Sequence, residues 1–163
     1  MHRSIAVSFF MLTAMAGNVL AQEPIPVSGS FDYTPEVFSR VPGGGSVFVD
    51  ASEAEVWTGD IQGTSVAPFR VVVAPDGSFE AWLLAEFEGT VLGEHSGTMV
   101  IASKYKKPVA TAHWTGEWII LNGTGGLENV HGHGSVWGPG FNPKDPDASP
   151  DIFYSGEVFF APE

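Results

Sequence analysis

The chain has 163 residues, with 19 acidic against 7 basic side chains, a formal net charge of −12 and no cysteine. A surface so acidic repels phosphate backbones and anionic headgroups, so neither nucleic acid nor a membrane surface is an expected partner. The missing thiols exclude disulfides, thiolate metal ligands and cysteine catalysis.

Residues 1–21 read as a secretory signal peptide. Met1, His2 and Arg3 give a short positive start, Ile5 to Met15 is mostly apolar, and Val19-Leu20-Ala21 ahead of Gln22 has small residues where a signal peptidase reads them. The apolar stretch falls short of the roughly 20 residues that span a bilayer, which disfavours a membrane anchor. A secreted or periplasmic location is expected. The remaining residues, 22–163, suit a single domain.

Twenty glycines, twelve prolines and twelve phenylalanines with little helical periodicity predict an all-β fold. In chain order the strand candidates are Val27 to Tyr33, Ser46 to Asp50, Ala54 to Thr58, Phe69 to Ala74, Phe79 to Val91, Ser96 to Ser103, Val109 to Leu121, Val130 to Trp137 and Ile152 to Phe160. Breaks fall at Val41 to Gly45, at Gly59 to Gly63 and at Pro75-Asp76-Gly77. Asn122-Gly123 carries the strongest short hairpin signal. Seven to nine strands without crossover helices form an antiparallel meander. Glycines within otherwise good strands (Gly89, Gly93, Gly97, Gly116, Gly132, Gly134) favour closure into a β-barrel over an open-edged sandwich. Gly59-x-x-x-Gly63 and Gly89-x-x-x-Gly93 echo each other as equivalent corners, too briefly to be a repeat.

Phe31-Asp32-Tyr33-Thr34-Pro35, Gly59 to Thr64, Phe87 to Gly93 with Ser96-Gly97-Thr98, and Gly123 to Leu127 followed by Gly132-x-Gly134 resemble a family of small, mostly bacterial proteins similar to the allene oxide cyclase barrel. The resemblance implies an eight-stranded, calycin-like or dirigent-like barrel with a central cavity, and trimers. It carries over no catalytic residue, because none of the cyclase's matches position by position.

His131 and His133 stand two apart, so on a strand their side chains share a face at a spacing that suits one metal ion. Zinc needs a further protein ligand, and His113 and Glu117 on the preceding strand, or Glu94 and His95, are the candidates. The plainer reading, two exposed polar residues beside a glycine-rich turn, is preferred, and no metal or cofactor is expected. Glu86 and Glu88 share a strand face with Trp82 and Leu84. They are either a paired-carboxylate site or, as the more apolar opposite face suggests, two surface acids. Between Gly138 and Asp151 a proline-rich loop spaces Asp145, Asp147, Ser149 and Asp151 like a calcium loop but lacks its glycine and glutamate. A lid over a barrel mouth is the alternative. Phosphate loops, dinucleotide fingerprints and serine-nucleophile elbows are absent.

The function that fits best is binding of a small hydrophobic molecule in a central cavity lined by Trp82, Phe87, Trp114, Trp118 and Trp137. The alternative is a cofactor-free isomerase or cyclase with Glu86, Glu88 or His113 as acid or base. An oxidised fatty acid or a phenolic is the substrate that the resemblance implies. A structural or interaction protein with a filled core is the third reading. Self-association into a homo-oligomer is left open.

Overall fold

The structure is a computed structural model and describes residues 23–109, 113–139 and 152–162. The leader read over 1–21 and the acidic, proline-rich positions Asp145, Asp147, Ser149 and Asp151 lie outside those residues. Eight strands are present: β1 (Ile25–Gly43), β2 (Ser46–Gly59), β3 (Ile61–Val73), β4 (Phe79–Val91), β5 (His95–Lys107), β6 (His113–Gly125), β7 (Val130–Pro139) and β8 (Ile152–Phe160). Each pairs antiparallel with the next, and β8 pairs with β1, so the sheet closes on itself as a barrel.

The two-residue side-chain period sorts each strand into an inner and an outer face. In β4, Ala81, Leu83, Ala85 and Phe87 are buried while Glu80, Trp82, Leu84, Glu86 and Glu88 are exposed. Among the described residues β1 pairs with β8 from Ile25 to Phe31 and with β2 as far as Gly43. Pro35 pairs with Glu53 of β2, and no described residue of β8 stands opposite it.

Several boundaries differ from the sequence expectation, β1 among them, which continues through Val41 to Gly43. β2 is one strand rather than two, because Ala51 and Glu53 maintain the inward alternation across the stretch read as a break. β3 starts at Ile61 rather than Phe69: the glycines at 59 and 63 curve the chain without ending the sheet. Asn122-Gly123 is not a hairpin apex. Both residues lie in β6, with a bulge that sets Val100 opposite Asn122 and Ile101 opposite Ile120, and the chain turns instead at residues 126–129. That later turn buries Leu127 completely, at 0% exposure, inside the barrel end, a gain that a turn at Asn122 would forgo.

Glycines carry the curl. Gly63, Gly89, Gly97 and Gly125 face one another in a row across β3, β4, β5 and β6. Aromatic rings lie on several paired glycines: a β-carbon at Gly89 would come within 2.6 Å of Phe87 Cζ, and one at Gly156 within 2.6 Å of Trp118 Cζ2. Phe31 stacks on Trp57 at 4.3 Å between centroids, with Tyr154 at 5.3 Å and Phe87 at 6.1 Å from Trp57, so this end of the barrel is packed with rings. The Tyr154 hydroxyl clasps the β2–β3 turn from β8, accepting from the Ile61 N–H at 2.8 Å and donating toward the Thr58 carbonyl at 3.1 Å.

Candidate functional site

Beyond the ring-packed layer the inner face of β2 turns acidic. Glu53, Glu55 and Ser65 are the buried polar side chains among the described residues, at 7%, 2% and 4% exposure, inside a lining that is otherwise apolar. Glu53 and Glu55 are two apart on one strand and so share its inner face. Glu55 stands opposite Tyr33 of β1 and Ser65 of β3, and Glu53 stands opposite Pro35 and Ala67. Trp57 Nε1 donates to Ser65 Oγ at 2.8 Å and to Glu55 Oε2 at 3.2 Å. Ser65 Oγ donates to the same carboxylate oxygen.

These partners divide the two acids. Burial pushes both carboxyls above the ordinary glutamate range, but Glu55 is drawn back by hydrogen bonds from Ser65, Glu53 and Trp57. Glu53 has only its neighbour: burial first, then the charge of Glu55 and the hydrogen bond to it, raise it well above that range. Both carboxyls therefore keep their protons to higher pH than a free glutamate, Glu53 the more strongly. Tyr105 of β5 faces them. Its hydroxyl is raised well above the usual tyrosine value by burial and then by the charges of Glu55 and Glu53, so it stays a neutral donor. Tyr33 is raised likewise, by burial and then Glu53. Around the acids the inward positions are small, with Ala51, Ala67, Ala81 and Ala85 all buried. Two buried carboxyls of unequal proton affinity, with two tyrosines near enough to feel their charge, lie in apolar surroundings, an arrangement suited to proton transfer or to hydrogen bonding with a ligand.

The residues singled out from sequence fall elsewhere. Glu86 and Glu88 are exposed on the outer face of β4, as the apolarity of the opposite face suggested. His113 is exposed at the start of β6. Phe87, Trp114 and Trp118 are buried inside, whereas Trp82 and Trp137 are 43% and 44% exposed on the outside, so the five aromatics line no common cavity. His131 stacks on Phe159 at 5.1 Å, and His133 Nε2 lies 3.6 Å from Glu157 Oε1 on the outer face. Glu117 pairs in register with Ser135, not with either histidine. The His95 ring stacks on Phe160 at 3.9 Å beside the turn that carries Glu94. No group of three histidine, aspartate or glutamate side chains among the described residues is placed to hold a metal ion.

A protein-family model described as "Protein of unknown function (DUF3224)" matches residues 27–138, more than half of the chain. The chain belongs to the DUF3224 family. It is similar in fold to the crystal structure of a DUF3224 protein of unknown function from Shewanella oneidensis MR-1, with a TM-score of 0.69 and 16% identity, covering 86% of this chain and 100% of that one. No curated protein matches the chain. The DUF3224 match ends at β7, and within it lie Glu53, Glu55, Ser65, Tyr33 and Tyr105.

Proposed function

We propose that this DUF3224 chain is a secreted or periplasmic protein that holds a small, largely apolar molecule inside its barrel, with one polar group of that molecule on the Glu53–Glu55 pair. The observation that carries the reading is the burial of two carboxyls in an otherwise apolar lining. Buried acids cost stability that hydrophobic residues of similar size would not, and proteins retain such costs where a site needs them. Eight-stranded barrels are wide enough for one small ligand or for a filled core.

The division of labour between the acids favours a second reading, a cofactor-free isomerase or cyclase in which Glu53 donates a proton and Glu55 accepts one. This replaces Glu86, Glu88 and His113 as the acid–base candidates. Binding is tested with the neutral fluorescent probe N-phenyl-1-naphthylamine, since an acid pair in apolar surroundings repels an anionic one. Uptake by the wild type, weakened about tenfold or more in a Glu53→Leu/Glu55→Leu variant that is at least as heat-stable, is the expected result. No probe uptake, together with no hydrophobic mass on protein purified from its own source, rules the reading out.

A further inference from the structure

The outer face of β3 to β6 bears large exposed side chains that the barrel interior does not need. Val66, Trp82, Leu84, Ile119 and Leu121 are 43–56% exposed there. A groove of about 820 Å³ crosses it, with Ala102 flanked by Trp82 and Leu84 on one side and by Ile119 and His133 on the other. Contiguous apolar surface of this kind marks an interaction site. The pattern of charge around it indicates the occupant.

Along one outward row, strand by strand, the pairing sets Arg70 beside Trp82, Trp82 beside Lys104, and Lys104 beside Glu117. In the next row Leu84, Ala102 and Ile119 are neighbours. Reversed left to right and laid over itself, the first row places Arg70 on glutamate and Trp82 on lysine. The second places Leu84 on the small Ala102. Lys104 already sits 5.5 Å from the Trp82 ring centre within one chain, so the cation–π geometry suits these side chains. Arg70 binds Asp50 at 2.7 Å but keeps 67% of its side chain exposed, and so can reach a second carboxylate.

We infer that two copies of this chain pack through the outer faces of β3–β6 about a two-fold axis parallel to the strands, running between β4 and β5. Arg70 then meets Glu117 of the partner subunit, and Trp82 meets the partner's Lys104. The contact is isologous, and the same reversed row satisfies both copies. The reversed row sets opposite charges together, which offsets at the contact the repulsion between two copies of net charge −12. The assembly is independent of what the barrel interior holds.

Sedimentation velocity across a concentration series tests it. The wild type should dimerise reversibly, and Arg70→Glu or Glu117→Arg alone should weaken the dimer about tenfold or more by opposing like charges. The double variant Arg70→Glu/Glu117→Arg should recover it. Ile119→Glu, which leaves both charged partners in place, should give monomers with an unchanged circular dichroism spectrum. A monomeric wild type, an odd-numbered assembly, single reversals without effect, or a double variant that stays dissociated would each overturn the two-fold contact.

Discussion

Glu53 keeps its proton to a higher pH in the folded barrel than in the unfolded chain, because it is buried beside Glu55. Between the ordinary glutamate value of 4.5 and the raised folded value, the native state therefore binds more protons than the unfolded state. The contribution of Glu53 to stability is fully present below pH 4.5 and is lost as pH rises through the folded value. Thermal midpoints measured from neutral pH down toward that value should climb on acidification, and Glu53→Gln should flatten the slope and raise the neutral-pH midpoint. A variant whose pH profile overlays the wild type would place the acid pair in water rather than in the barrel. The sequence conceals this site for a physical reason. On β2 the buried positions hold Glu53 and Glu55 while Val56 is 55% exposed, so polarity points opposite to burial. Ser65, which hydrogen-bonds Glu55, comes into reach only through the β2–β3 pairing, whereas Trp57 stands two residues along the same strand.

Whole strands were more legible than single side chains. β4 and β8 run from Phe79 to Val91 and from Ile152 to Phe160, as their clean runs suggested, whereas β1 and β2 are longer than turn residues imply. Local signals misplace the β6 turn because the burial of Leu127 is a tertiary gain that outweighs the Asn-Gly preference. Glycine inside strands was a good cue, since it reports close approach of chains and rings, except at Gly93, which lies in the β4–β5 turn with nothing near it. At Gly134 a β-carbon would meet Trp118 Nε1 at 2.6 Å and the Gly156 Cα at 2.7 Å. A backbone atom on one side and a packed indole on the other leave it nowhere to go. Trp118 also donates from that nitrogen to the Ser155 carbonyl at 3.3 Å, so the ring cannot swing away without losing a hydrogen bond. Gly134→Ala should therefore destabilise the barrel by about 1–3 kcal/mol, the usual cost of overpacking. Urea denaturation measures this, and a midpoint equal to the wild type would mean that β7 and β8 are farther apart at this level.

For the whole molecule, closure is the property from which the rest follows. Antiparallel alternation and glycine-rich strands were enough to anticipate a ring. Which face lines it was not readable, because tryptophans occupy both sides: Trp114 and Trp118 within, Trp82 and Trp137 without. The ring is a meander in which β1 to β8 pair in sequence, and among the described strand pairings only β1–β8 joins distant parts of the chain. Ile25 faces Val158 in that contact, so the two ends of the described chain lie side by side. Linking Pro162 to Glu23 through a short glycine-serine segment, and opening the chain between Gly93 and Glu94, converts the distant pairing into a hairpin and makes β4–β5 the closing pair. The cut falls where the turn is held least, since the Glu94 N–H reaches the Val91 carbonyl only at 3.4 Å, while the Leu92 N–H on the other side of it keeps the Asp60 carbonyl at 2.7 Å. Loop-closure entropy changes slowly with length, so the permuted chain should fold to the same barrel with stability within about 2 kcal/mol of the original. Deleting β8 should instead abolish cooperative unfolding, because β1 and β7 are then both left as open edges. Circular dichroism and urea denaturation distinguish the two outcomes. A permutant that fails to fold would show that the order of hairpin formation, and not closure alone, directs this chain to its ring.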